Sequence, residues 1–376
     1  MMTEKGKQLY DATYQSMAGR VEEDGYANTS LTGTYGGMFC RDTAAHILCH
    51  TRLGDYDLAF KMLRYTFDYH KQHNFDFVIH VMDKSHRQPD MKKQSDATFL
   101  LLYAWVAFAK AAPKTDEVTA FLADSYPLVC TFANHYLDGW EFNPAYGLIF
   151  NESLEHSRDR SYFQCYDMLT NVCASQAFHD LSAYVKETDP AHAKKWGNAA
   201  DTIAKGIHNF LVPTVDGKKF YGELIGTSQK NLDKNPNASI LHIRGFSWVN
   251  IAAMSVDWYA ADPEILENTH QLYMQYADCL YYDKYKMPDC YTEFETTLAP
   301  AQSGHYVLGK ALAWEMLYCH KTGKNDRIRD IMTFIEDRSS EIYMETYEYT
   351  GGGSDGGNQE QAAWLLYAIY TISHWE

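Results

Sequence analysis

The sequence predicts an all-α protein: a closed (α/α)6 barrel of six helical hairpins, with decorated loops on one face. Three observations predict it. Apolar residues recur three or four apart through most of the 376 residues, the period of an amphipathic helix. The periodic stretches pair through very short connections, which makes the partners antiparallel neighbours. Between pairs the connections are long and recur in phase, at 73–95, 139–163, 213–245, 281–302 and 341–356. Loops longer than about a dozen residues in a compact domain are usually functional. An open solenoid would instead show short, near-identical loops and a fixed repeat, and the sequence has neither.

Helices are expected over 4–18, 42–53, 55–72, 96–112, 115–138, 164–187, 190–212, 246–259, 263–280, 303–322, 325–340 and 357–375. Asp55, Thr115-Asp116-Glu117, Pro190, Pro263-Glu264 and Asn325-Asp326 carry start signals. Pro127 is expected to bend or split the fifth helix. Phe75–Val81 alternates like a strand, and Lys218–Ile225 reads as a hairpin arm. With no linker or composition break, residues 1–376 read as one domain.

Net charge is −16, which argues against nucleic acid or an anionic membrane as partner, since phosphate recognition needs clustered cations. A neutral small molecule fits better. The longest uncharged stretch of the most apolar helix, Ala97 to Ala109, is 13 residues, too short to span a bilayer. The N-terminus lacks a secretory pattern, and the eight cysteines are scattered without CxxC spacing, so a reduced cytoplasmic chain without zinc is expected. Aromatic residues reach 15%, and core filling is the expected role of most.

The polar clusters fall in the long loops. Asn151-Glu-Ser-Leu-Glu-His-Ser-Arg-Asp-Arg160 sets charges between apolar Gly147–Phe150 and aromatic Tyr162, Phe163 and Tyr166. A carboxyl between such walls keeps its proton to higher pH, as a general acid requires. In Tyr35-Gly-Gly-Met-Phe-Cys-Arg-Asp-Thr43, Arg41 and Asp42 stand at a helix start, Asp42 either as a cap or as a ligand for sugar hydroxyls. Gln94 and Asp96 precede the next inner helix, Asp96 as a cap candidate. Arg244 and Trp248, and later Glu293, Glu295 and His305, occupy the corresponding positions further on. No phosphate loop, Ser-His-Asp elbow or HExxH helix occurs. Paired carboxylates, arginines and aromatics describe a sugar-hydrolysing pocket, with Glu155 or Glu152 as acid and Glu345 or Glu348 as base.

These motifs resemble the six-hairpin glycoside hydrolases: the family 15 glucoamylases, with families 37, 63 and 125. Phe39-Cys-Arg-Asp-Thr43 is similar to the arginine-aspartate motif that grips the terminal sugar, which implies that role for Asp42. Glu152-Ser-Leu-Glu-His-Ser-Arg158 and Tyr166-Asp-Met-Leu-Thr-Asn171 resemble a family 63 pattern, implying Glu155 as acid with Arg158, Asp167 and Asn171 in support. His242–Asn250 resembles a motif that lines the pocket, implying that role for Arg244 and Trp248. Glu345-Thr-Tyr347 resembles the motif of the catalytic base. The chain departs from the pattern at Leu154, where a tryptophan is expected, at Phe39-Cys40, and after Gly245, where proline is missing.

The resemblance implies inverting, exo-acting hydrolysis of terminal α-linked sugars, an α-glucoside first and an α-mannoside second, without metal or organic cofactor. It leaves linkage, substrate length and oligomeric state open. Two other classes fit the same barrel: a sugar 2-epimerase or polysaccharide lyase, using His80, His156, His242 or His305, and a non-catalytic carbohydrate-binding protein.

Overall fold

The computed structural model describes residues 2–31, 35–84, 90–156, 161–228, 241–243, 249–279, 306–348, 353–354 and 359–373. Among them are eleven α-helices: α1 (Glu4–Ala18), α2 (Cys40–Leu53), α3 (Tyr56–Gln72), α4 (Ser95–Ala111), α5 (Asp116–Asp138), α6 (Met168–Tyr184), α7 (Pro190–Phe210), α8 (Pro263–Cys279), α9 (Gly309–Lys321), α10 (Asn325–Arg338) and α11 (Gln359–Ser373). Local chemistry starts several of them. Thr115 accepts from Val118 N–H, and Asp189 accepts from His192 N–H with Pro190 next in the helix.

The helices form two layers. In the inner ring, α2 packs on α4, α4 on α6, α6 on residues 250–254, these on α9, α9 on α11, and α11 back on α2. The outer layer is α1, α3, α5, α7, α8 and α10. Inner helices lead outward through tight connections such as 54–55 and 322–324, while every return inward is long. All inner N-termini therefore open on one face, where the small sheets lie. The described strands are β1 (Met38–Phe39), β2 (Ile79–Met82), β3 (Asp90–Lys93), β4 (Phe142–Asn143), β5 (Leu148–Ile149), β6 (Asn151–His156), β7 (Ser161–Asp167), β8 (Thr214–Val215), β9 (Lys218–Lys219), β10 (Leu224–Ser228), β11 (Leu241–Ile243), β12 (Tyr306–Leu308), β13 (Thr346–Glu348) and β14 (Gly353–Ser354).

Three inner elements differ from expectation. The pattern predicts a helix over 246–259, but the described part holds a single 3-10 turn, Asn250–Met254. There the Ser255 hydroxyl donates to the Ala252 carbonyl, competing with helix propagation, and Asp257 takes a left-handed φ of 51°. Buried Ile251, Ala252 and Ala253 still fill the sixth place in the ring. The helix expected from 164 begins at Met168, because Ser161–Asp167 forms a strand. That from 303 begins at Gly309, after a strand at Tyr306–Leu308. In both cases a distant segment supplies the strand partner, which local periodicity does not record. Pro127 leaves α5 unbroken; it sits on the exposed face, where water can satisfy the carbonyl it releases.

Rings dominate the largest fully buried side chains, among them Trp105, Trp196, Trp314, Tyr136 and Phe99. Cys40, Cys49, Cys165, Cys173 and Cys319 are buried free thiols. No described helix is long and apolar enough to cross a membrane.

A second buried feature joins α8, α9 and α10. Glu315 receives Arg327 through both oxygens, at 2.6 and 3.0 Å, and His270 Nε2 at 2.9 Å, with Cys319 beside it. Burial alone would raise this carboxyl; Arg327 and His270 outweigh it and hold the pKa at about 2, against 4.5 unperturbed. The folded value is depressed, so the stabilisation is complete above pH 4.5 and is lost as pH falls towards 2. Glu315→Gln is expected to lower unfolding free energy at pH 7 by about 3 kcal/mol and to flatten the acid limb of stability against pH. Urea titrations between pH 7 and 3 check it.

Candidate active site

The mouth of the barrel gathers helix N-termini, whose unpaired N–H groups and dipoles favour carboxylates. Carboxylates are what the sequence places there. Arg41, in the first turn of α2, donates to Asp96 of α4 at 2.8 Å and stands 3.5 Å from Glu360 of α11. Lys310 of α9 meets both Glu360 oxygens at 3.0 Å. Asp42 accepts from Glu360 N–H at 3.3 Å, so it caps α11 rather than its own helix, which starts behind Phe39. Burial, and then the Glu360 carboxylate, push the Asp42 pKa well above the usual range. Asp96 is not the cap of α4; Gln94 is, and Asp96 turns to Arg41. Gln94 Oε1 and Asp96 Oδ1 are buried without a hydrogen-bond partner among the described residues.

Below this ring, Arg41, Asp96, Leu169, Cys173, Trp314 and Trp364 line a cavity of only about 10 Å³. That is room for about one water, so nothing larger fits below the ring.

One loop carries the candidate acid. β4 (Phe142–Asn143) and β5 (Leu148–Ile149) form a hairpin, followed by β6 (Asn151–His156) and β7 (Ser161–Asp167). The first residues of α6 fix its register. The Asn171 side chain donates to Ile149 O at 3.0 Å and accepts from Ile149 N–H at 2.8 Å. Asn151 donates to Thr170 at 2.9 Å and to Asp167 at 3.3 Å. Asp167, the N-cap of α6, is fully buried, and burial raises its pKa to about 6. It and Asn171 therefore position the loop. Glu155 lies in β6 opposite Tyr162; its side chain, and those of His156 and His242, lie outside the described residues, as do Arg158, Arg244, Trp248, Glu293, Glu295 and His305. Glu152 is exposed and meets Lys93 at 3.2 Å. His80 is buried, edge-on to Phe39.

The candidate base sits across the mouth. β12 (Tyr306–Leu308) enters α9 and pairs with β13 (Thr346–Glu348). Glu345 immediately precedes β13, and its carbonyl accepts from Gly309 N–H at 3.1 Å. Its half-buried carboxylate receives the Tyr35 hydroxyl at 3.0 and 3.2 Å. Fully buried Tyr347 fixes the turn by accepting from Met344 N–H and packing on Phe334. Glu348 pairs with Tyr306 in the backbone, and its side chain lies outside the described residues. In the ring of six, β6 lies against α4, and Glu345 meets the start of α9. These are opposite sides.

Sequence reasoning missed Tyr35, Lys310 and Glu360. Tyr35 opens the stretch that drew attention to Arg41 and Asp42. Lys310 and Glu360 are first-turn residues of inner helices, and that position was the available signal.

No protein-family model matches the sequence, and a sequence search of curated proteins gives no match. Solved structures do match. A GH63 mannosylglycerate hydrolase from Thermus thermophilus, in complex with glucose, has a TM-score of 0.65 at 13% identity, over 96% of this chain and 99% of that one. A wild-type glycosidase has a TM-score of 0.68 at 10% identity, over 98% of both chains. A glutamate-to-alanine glycosidase variant with glucose gives 0.68 at 9%, again over 98% of both. Such identities speak for the fold, and the chain is an (α/α)6 barrel of the kind these enzymes have.

Proposed function

We propose that the protein is an inverting, exo-acting glycoside hydrolase that removes terminal α-linked sugars from oligosaccharides, with an α-glucoside as first choice. The observation that carries this reading is the placement of Glu345 and the Glu155-bearing strand on opposite sides of the mouth. Glu155 protonates the glycosidic oxygen while Glu345 takes a proton from the water attacking C1 on the other face. Inversion calls for carboxyl groups roughly 6.5–9.5 Å apart, leaving room for that water. Asp42, Gln94 and Asp96, with Arg41 behind them, offer acceptors for the hydroxyls of the terminal sugar. Arg158, Arg244, Trp248 and His305 complete the proposed substrate-binding set. The likeness to a glycosidase and a mannosylglycerate hydrolase supports the reading at the level of fold.

The test is a screen of synthetic α- and β-glycosides with NMR detection of the released anomer. An α-glycoside yielding the β-anomer first is the expected result. Retention, an unsaturated or epimerised product, or binding without turnover would overturn it. A second expectation concerns Tyr35. Its hydroxyl donates to the Glu345 carboxylate and so helps to hold that group in place. Tyr35→Phe should cost about ten- to a hundredfold in kcat. A variant with wild-type kcat would refute this role.

A further inference from the structure

Trp140 is the most exposed of the large apolar side chains among the described residues, at 63%. A lone exposed apolar residue is ordinary. The surroundings of this one are not. Phe150 backs the ring at 5.7 Å between centroids, and Lys93 Nζ lies over the ring, 5.6 Å from its centre. Lys93 in turn pairs with buried Glu141 and with exposed Glu152. The backbone is held as firmly: Phe150 N–H donates to Glu141 O at 2.8 Å. A Cβ on Gly139 would lie 2.4 Å from His135 O and 2.5 Å from the Glu141 carboxylate, so only glycine admits this close turn.

The place matters too. Lys93 ends β3 (Asp90–Lys93), just before Gln94 and Asp96, and Glu152 belongs to β6, the strand of Glu155. The ring thus sits at the rim on the acid side. In the proposed reaction, that is where the leaving group emerges.

We propose that Trp140, with Lys93 over one face and Glu152 paired to Lys93, is a subsite whose open face stacks a sugar unit of the leaving group. The open face of an aromatic ring suits a pyranose, which presents C–H groups on its face, and the exposed Glu152 carboxylate beside Lys93 is an acceptor for hydroxyls around the edge of the sugar. The substrate class that follows is a neutral oligosaccharide extending beyond the scissile bond.

This inference rests on the hydrolase reading, and the experiment separates the two. Rates are measured on α-1,4-glucotetraose and α-1,6-mannotetraose and on the matching α-glycosyl fluorides, whose leaving group carries no sugar. For the tetrasaccharide that is turned over, Trp140→Ala is expected to lower kcat/KM at least tenfold more than for its fluoride, with Trp140→Phe retaining most of the activity. Tryptophan fluorescence of the Glu345→Gln variant should be quenched by that tetrasaccharide, and the quench should be lost when Trp140→Ala is added. Equal losses on tetrasaccharide and fluoride would overturn the subsite. If the wild type hydrolyses none of the four, the hydrolase reading fails, and the titration alone decides: no Trp140-dependent quench overturns the subsite as well.

Discussion

Glu345→Gln and Glu155→Gln should each reduce kcat by about 10²–10⁴-fold while leaving the fold intact, because general acid and base catalysis contribute about that much. The substitution keeps the shape of the side chain and removes the proton function. At position 345 the amide oxygen can still accept from Tyr35, so far-UV spectra and urea midpoints should match the wild type. The neighbouring glutamates are the controls. Glu152→Gln leaves Lys93 paired with Glu141, and its effect on turnover of a glycosyl fluoride, which carries no leaving-group sugar, should be small, as should that of Glu348→Gln. If Glu152→Gln or Glu348→Gln silences the enzyme while its partner variant stays active, the proposed assignment within that pair is wrong. Steady-state rates on the substrate identified by the glycoside screen make the comparison.

Glu360→Ala should cost about 3–5 kcal/mol of unfolding free energy, the usual consequence of leaving buried cations uncompensated. Glu360 is 2% exposed and binds Lys310 through both oxygens, with Arg41 on its other side. Arg41 keeps Asp96, but Lys310, itself 2% exposed, loses the carboxylate that meets it through both oxygens. Replacing both members, as Lys310→Met with Glu360→Leu, should recover most of the loss, since an apolar pair of similar volume is often as stable as a buried ion pair. Equilibrium urea unfolding measures all three variants. A loss below about 1 kcal/mol for Glu360→Ala would mean that water reaches the ring and screens it, as at a surface pair.

The outer helices and their caps were legible because their signals are local. Thr115 caps α5 and Pro190 opens α7, as their local signals say, and the polar faces of these helices meet water. The strands at Ser161–Asp167 and Tyr306–Leu308 were not, since each needs a partner from elsewhere in the chain. Asp42 shows the same limit within the site: its position at a helix start was visible, but not that it serves the start of α11.

By itself, the sequence determined the barrel, the face that carries its long loops, and the loop positions of Glu155 and Glu345. Helical period and connection length are properties of neighbouring residues, so one chain read in order contains them. Only the tertiary structure decided that Arg41, Asp96, Lys310 and Glu360 join in one buried network, that Tyr35 holds Glu345, and that Trp140 stands fixed at the rim. These depend on distances between residues far apart in the chain, which become short only when α11 packs against α2 and closes the ring.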